Sequence, residues 1–117
     1  MNLDRFEEGL IDDIQTDRCK KLIWSVINLA VEDACKAPYG KKPQSEAITA
    51  MRFLIGNGKE ADIDSWLMWL DVNGPVFRRR LLEAMFSDYH DKFPDMARRA
   101  FRSNYNWWRL NATDFND

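Results

Sequence analysis

Histidine occurs once in these 117 residues and cysteine twice. That scarcity removes the common metal centres, because a structural zinc site needs about four clustered ligands. His90 stands alone between Tyr89 and Asp91. Cys19 and Cys35 fall on one predicted helix, roughly 24 Å apart at the helical rise, whereas a disulfide needs Cα atoms within roughly 7 Å. The expectation is two reduced thiols in an intracellular protein. No apolar run approaches the ~18 residues of a membrane span. The opening MNLDRFEEGL lacks the basic-then-apolar pattern of a signal peptide, so the expected location is the cytoplasm. The sequon Asn111-Ala112-Thr113 then has no secretory context. None of the phosphate-cradling or nucleophile motifs G-x-x-x-x-G-K-[ST], G-x-G-x-x-G or G-x-S-x-G occurs. The carboxylate pairs have simpler roles: Asp12 and Asp13 point about 100° apart on a helix, and Asp62 and Asp64 open one. No enzyme, cofactor, metal or small-molecule substrate is expected. Long-period repeats and heptads are also missing.

A net charge of −2 gives no bulk argument for nucleic acid, but the charge is uneven. Residues 1–73 hold 9 basic and 13 acidic side chains, and residues 74–117 hold 8 and 6. Apolar side chains make up 45% of the chain, with five Trp and seven Phe, which excludes disorder and allows one well-filled domain.

Periodicity makes the chain all-α. Leu3, Phe6, Leu10 and Ile14 mark an amphipathic helix over residues 3–15, whose other face carries Asp4, Glu7, Glu8, Asp12 and Asp13. A second helix, residues 17–36, is capped by Thr16 or Asp17. Leu22, Ile23, Val26, Ile27, Leu29, Ala30, Val31 and Ala34 surround most of it, with Trp24 beyond. A helix so apolar is expected to be central, packed on more than one neighbour. Ala37-Pro-Tyr-Gly-Lys-Lys-Pro is a loop. Further helices are expected over residues 45–55, 63–70, 75–90 and 94–109, with a polar tail, residues 111–117, that frays. Gly56 suits a C-terminal cap. The whole is a bundle of five to six helices, including a helix-turn-helix-like pair.

That pair occupies residues 62–86, DIDSWLMWLDVNGPVFRRRLLEAMF. Asp62 can cap the first helix, and Ile63, Trp66, Leu67 and Leu70 form its apolar face, flanked by Trp69. Gly74 tolerates positive φ and Pro75 suits the start of the next helix. There Phe77, Leu81, Ala84 and Met85 face inward. Arg79 lies opposite, with Arg78 and Arg80 on the flanks. Helix-turn-helix units place the second helix in the major groove, which makes Arg78, Arg79 and Arg80 candidate base contacts. In the last helix Met96, Ala97, Ala100, Phe101, Asn104, Trp107 and Trp108 share one side. Arg98, Arg102, Tyr105 and Arg109 form a stripe on the other, suited to a phosphate backbone.

The run AITAMRFLIGNGKEADIDSWLMWLDVNGPVFRRRLLEAM (residues 47–85) resembles a segment of short phage and prophage helical proteins. The shared features are an Ala-rich "A-x-x-F/W-L" helix, a short acidic loop, an aromatic-leucine helix and an "x-V-R-R-R-L" helix. The resemblance implies a helical fold in a phage-like context, with the host cytoplasm as location, and no catalytic residues. Relative to generic helix-turn-helix units, Asp71 replaces the usual turn glycine, Leu67 is bulky and Gly74 comes late.

Three readings follow. The first is a small DNA-binding transcriptional regulator using the seven residues of the two basic faces. The second is a protein-binding module or inhibitor that docks on a host or phage protein. The third is a homodimeric structural protein. For the first, which gains specificity by dimerising, Trp66, Trp69, Trp107 and Trp108 are the candidate apolar interface. The second would use the acidic first helix or the tryptophan-rich end, since Trp, Tyr and Arg are enriched at binding hot spots.

Overall fold

No proline stands between residues 2 and 34, and the polar run Gln15–Lys21 carries no glycine either. Polarity alone does not break a helix. The two segments expected over residues 3–15 and 17–36 are therefore one helix, α1 (Asn2–Ala34), 33 residues long. The computed structural model describes residues 2–56 and 61–111, with side chains from residue 17 onward. Beyond α1 it holds α2 (Ser45–Leu54), α3 (Ile63–Met68), α4 (Gly74–Met85) and α5 (Asp95–Asn111). No strand occurs among the described residues, only an isolated bridge between Tyr39 and Lys42 in the loop after α1. The chain is an all-α single domain. No helix among the described residues is long and apolar enough to cross a membrane. The expected frayed tail falls mostly on residues 112–117, outside the described residues.

The core gathers the inward positions of all five helices. Ile27, Val31 and Ala34 come from α1, Ala50, Met51 and Leu54 from α2, and Ile63 and Leu67 from α3. Leu81 and Met85 come from α4, and Phe101 and Trp108 from α5. Within α1 the described buried positions begin at Ile27, while Asp17–Leu22 are exposed throughout.

Chain reversals follow local chemistry. α2 ends at Gly56, whose φ of 59° supplies the left-handed residue that terminates a helix, with its N–H on the Arg52 carbonyl at 3.1 Å. α3 ends two residues sooner than its periodicity suggests. The Asp71 N–H meets the Met68 carbonyl at 3.2 Å and the Val72 N–H meets the Leu67 carbonyl at 3.0 Å. This is a Schellman pair of bonds, and Asp71 takes the left-handed position at φ 56°. Positive φ therefore falls on Asp71 and not on Gly74. Asn73 caps α4, its side-chain oxygen accepting the Val76 N–H at 3.0 Å. Asp62 makes no side-chain cap to α3. The capping bond there comes from Asp64, which accepts the Ala61 N–H at 3.2 Å.

α4 stops at Met85, not near residue 90. The Ser87 hydroxyl donates to the Ala84 carbonyl at 2.6 Å, and Arg98 takes the Ser87 carbonyl. Both bonds replace helical ones, so the chain leaves the helix.

Candidate functional site

The two arginine groups expected to face outward are divided between inside and outside. On α4 the buried positions are Gly74, Arg78, Leu81 and Met85, a face turned toward Arg78 from the one that apolarity alone suggests. Arg78 is 5% exposed and its guanidinium donates to the Asp64 carboxylate of α3. The same carboxylate lies directly against Gly74, where a Cβ would overlap it. Glycine late in the turn is thus explained by close approach of a side chain. Arg78 ties α3 to α4 and does not present itself to a duplex. Arg79 and Arg80 are exposed, and Arg79 approaches Glu83 at 3.9 Å one turn on, a surface pairing of small worth.

α5 shows the same rotation. Its buried positions are Arg98, Phe101, Asn104 and Trp108, while Met96 is 84% exposed. Arg98 is 4% exposed; its Nε donates to the Phe93 carbonyl at 2.9 Å, a second nitrogen reaches the Ser87 carbonyl, and Asp95 lies at 3.6 Å. Arg102 is half-buried and donates to the Met85 carbonyl at 3.3 Å. These two guanidinium groups satisfy carbonyls at the end of α4 and in the loop after it, where helical partners have run out. Tyr105 is half-buried, edge-on to Phe86 at 5.7 Å and stacked with Phe101 at 6.2 Å. Arg109 is exposed. The expected stripe of Arg98, Arg102, Tyr105 and Arg109 is therefore largely spent on internal ties. Sequence periodicity misplaced it because an arginine that caps carbonyls occupies an inward position while still scoring as polar.

The tryptophans separate as well. Trp108 is in the core at 1% exposure and cannot be an interface residue of the folded chain. Trp107 is half-buried. Trp66 and Trp69 are exposed, and Trp66 meets Phe53 edge-to-face at 6.4 Å.

What the sequence placed in the middle of the core lies partly on the surface. Leu22 is 65% and Leu29 57% exposed, so the segment expected to be covered on more than one side keeps an apolar face open. Between α1 and α2 runs a groove of about 390 Å³, with Val26, Leu29, Ala30, Ala50 and Phe53 as its apolar walls and Asp33, Ser45, Glu46 and Thr49 also lining it. Through Phe53 the apolar surface continues onto Trp66. The carboxyl of Glu46 is held below the usual range, first by its own backbone N–H and then by Lys36. Asp33 pairs with Lys36 at 3.6 Å. The groove is thus apolar along its floor, with the carboxylates of Asp33 and Glu46 on its lining and Lys36 beside them. The available signal was the nearly all-round apolarity of residues 22–34, which reads equally as a core helix or as a helix with a second occupant.

Both cysteines are free. Cys19 is exposed, while burial, and then Glu32, push the Cys35 thiol up to about 11. Among the described residues no group of three His, Cys, Asp or Glu side chains converges on one point.

No protein-family model matches the chain, and neither a curated protein sequence nor a solved structure matches it.

Proposed function

We propose that this chain is a helical interaction module that docks an amphipathic helix of a protein partner in the groove between α1 and α2. The observation that carries the reading is Leu29, 57% exposed on a groove whose other walls are Val26, Ala30, Ala50 and Phe53. Helix-in-groove recognition uses apolar anchors at helical spacing against such a floor. Asp33 and Glu46 favour a helix that carries Arg or Lys beside its apolar stripe, because opposite charge steers and orients docking. Trp66, in contact with Phe53, extends the apolar surface and suits a hot-spot role. A DNA-reading function loses two of its seven candidate residues, since Arg78 and Arg98 are buried in internal bonds, and keeps Arg79, Arg80 and Arg109 at the surface.

The experiment is site-specific photocrosslinking with a benzophenone side chain at Leu29 and, as control, at exposed Ser103 on α5. The expected result is a discrete adduct from Leu29 alone, mapped by mass spectrometry to a helical segment with apolar residues every three or four positions and a flanking cation. Equal labelling from both positions, or none from Leu29, would overturn the reading. Duplex DNA retention that falls steeply with salt and weakens in Arg80→Ala/Arg109→Ala would move the function to α4 and α5.

A further inference from the structure

We infer that the helix received by this groove is α1 of a second copy, paired antiparallel about a two-fold axis near Ser25. The inference rests on the docking reading and names its partner.

Arg18, Leu22, Ser25, Leu29 and Asp33 follow one another at spacings of 4, 3, 4 and 4. They therefore share one face of α1 within roughly 80° of arc. The first four are exposed and Asp33 is half-buried. Read along the helix, the stripe is cation, leucine, serine, leucine, anion. Reversed, it is complementary to itself. An antiparallel copy brings each Leu22 to the other chain's Leu29 and each Arg18 toward the other chain's Asp33. A parallel copy would stack Arg18 on Arg18 and Asp33 on Asp33, which is repulsive at both ends.

Ser25 suits the axis. It is small enough for close helix approach, and its hydroxyl already donates to the Lys21 carbonyl at 2.9 Å, so covering it strands no donor. The groove supplies the remaining walls. A second α1 running antiparallel to the first meets Val26 and Leu29 from α1 and Phe53 from α2. A two-fold contact made of the same patch on both chains is the usual geometry of a closed dimer. It also accounts for a helix segment apolar nearly all round yet covered on one side by its own chain.

Sedimentation velocity across a dilution series tests this with three proteins. The wild-type chain should sediment at twice the chain mass at the concentrated end. Arg18→Asp and Asp33→Arg should each be monomeric, because each homodimer then holds two like-charge contacts. Mixed in equal amounts they should recover the dimer, with one chain of each kind, because both contacts become attractive again. Circular dichroism checks that each variant keeps its helix content. Asp33→Arg also loses the Lys36 pair, so Ser25→Arg, which leaves that pair intact, serves as the independent variant and should be monomeric too.

A wild-type chain that stays monomeric at every concentration would overturn the inference. So would single variants that dimerise like wild type, or a mixture that stays monomeric. A monomeric wild type whose Leu29 crosslinks to a different protein would defeat self-pairing and keep the docking reading. Absence of both dimer and adduct would defeat both.

Discussion

Asp64 carries more of this fold than any periodicity would assign to it. It accepts the Ala61 N–H, holds the Arg78 guanidinium and fills the space over Gly74. Arg78→Ala should cost about 2–3 kcal/mol, below the full value for a buried pair because Asp64 keeps contact with water, measured by urea unfolding. At Gly74, the first residue of α4, alanine gains little of the helix-interior propensity difference. Gly74→Ala should destabilise, because the new methyl pushes Asp64 off Arg78. In the Arg78→Ala background the same change should be close to neutral, a non-additivity that a double-mutant cycle reads directly. Asn104 is the second such residue. Fully buried, its side-chain nitrogen donates to the Ala34 carbonyl at 2.9 Å and the Lys36 carbonyl at 2.8 Å, closing the end of α1. Its side-chain oxygen has no donor among the described residues. Asn104→Asp should therefore destabilise more than Asn104→Ala, since it places a buried carboxylate against two carbonyl oxygens. The thiols give a pH-dependent check. With the Cys35 thiol at about 11 and Cys19 exposed, iodoacetamide at pH 8 should modify Cys19 first. Cys35 should follow only as pH rises toward 11 or the chain unfolds, because the thiolate is the reacting form.

At the scale of elements, the order and kind of the helices were legible in the sequence, and their faces were not. Gly56 ends α2 in the left-handed conformation that its place after an apolar run suggests. The rotations of α4 and α5 were hidden because their inward positions include Arg78 and Arg98, whose partners are an acid on another helix and carbonyls of an irregular loop. No single-helix pattern contains those partners. The continuity of α1 through Gln15–Lys21 was hidden for the opposite reason: a polar run was read as a boundary although nothing in it disrupts a helix. The turn between α3 and α4 yields a test of its own. Asp71 stands at φ 56°, where a side chain other than glycine is strained. Asp71→Gly should raise stability by roughly 0.5–1 kcal/mol, seen as a higher urea midpoint at unchanged slope. An unchanged or lower midpoint would show that Asp71 makes a compensating bond.

At the scale of the molecule, the charged and apolar surfaces exchange the roles that composition gave them. Three of the six arginines that looked like a binding face, Arg78, Arg98 and Arg102, hold α3, α4, α5 and the connecting loop together. Leucines that looked like core remain open along α1. The candidate site was legible only as an excess: residues 22–34 are apolar in more directions than the described chain covers, which leaves Leu22, Trp24 and Leu29 exposed. The most direct test sets the two surfaces against each other in one observable. Sedimentation velocity of Leu29→Asp and of Arg79→Ala/Arg80→Ala, beside wild type, should give a monomer for the first and wild-type dimer for the second. Association that survives Leu29→Asp and disappears with the two arginines would contradict the account.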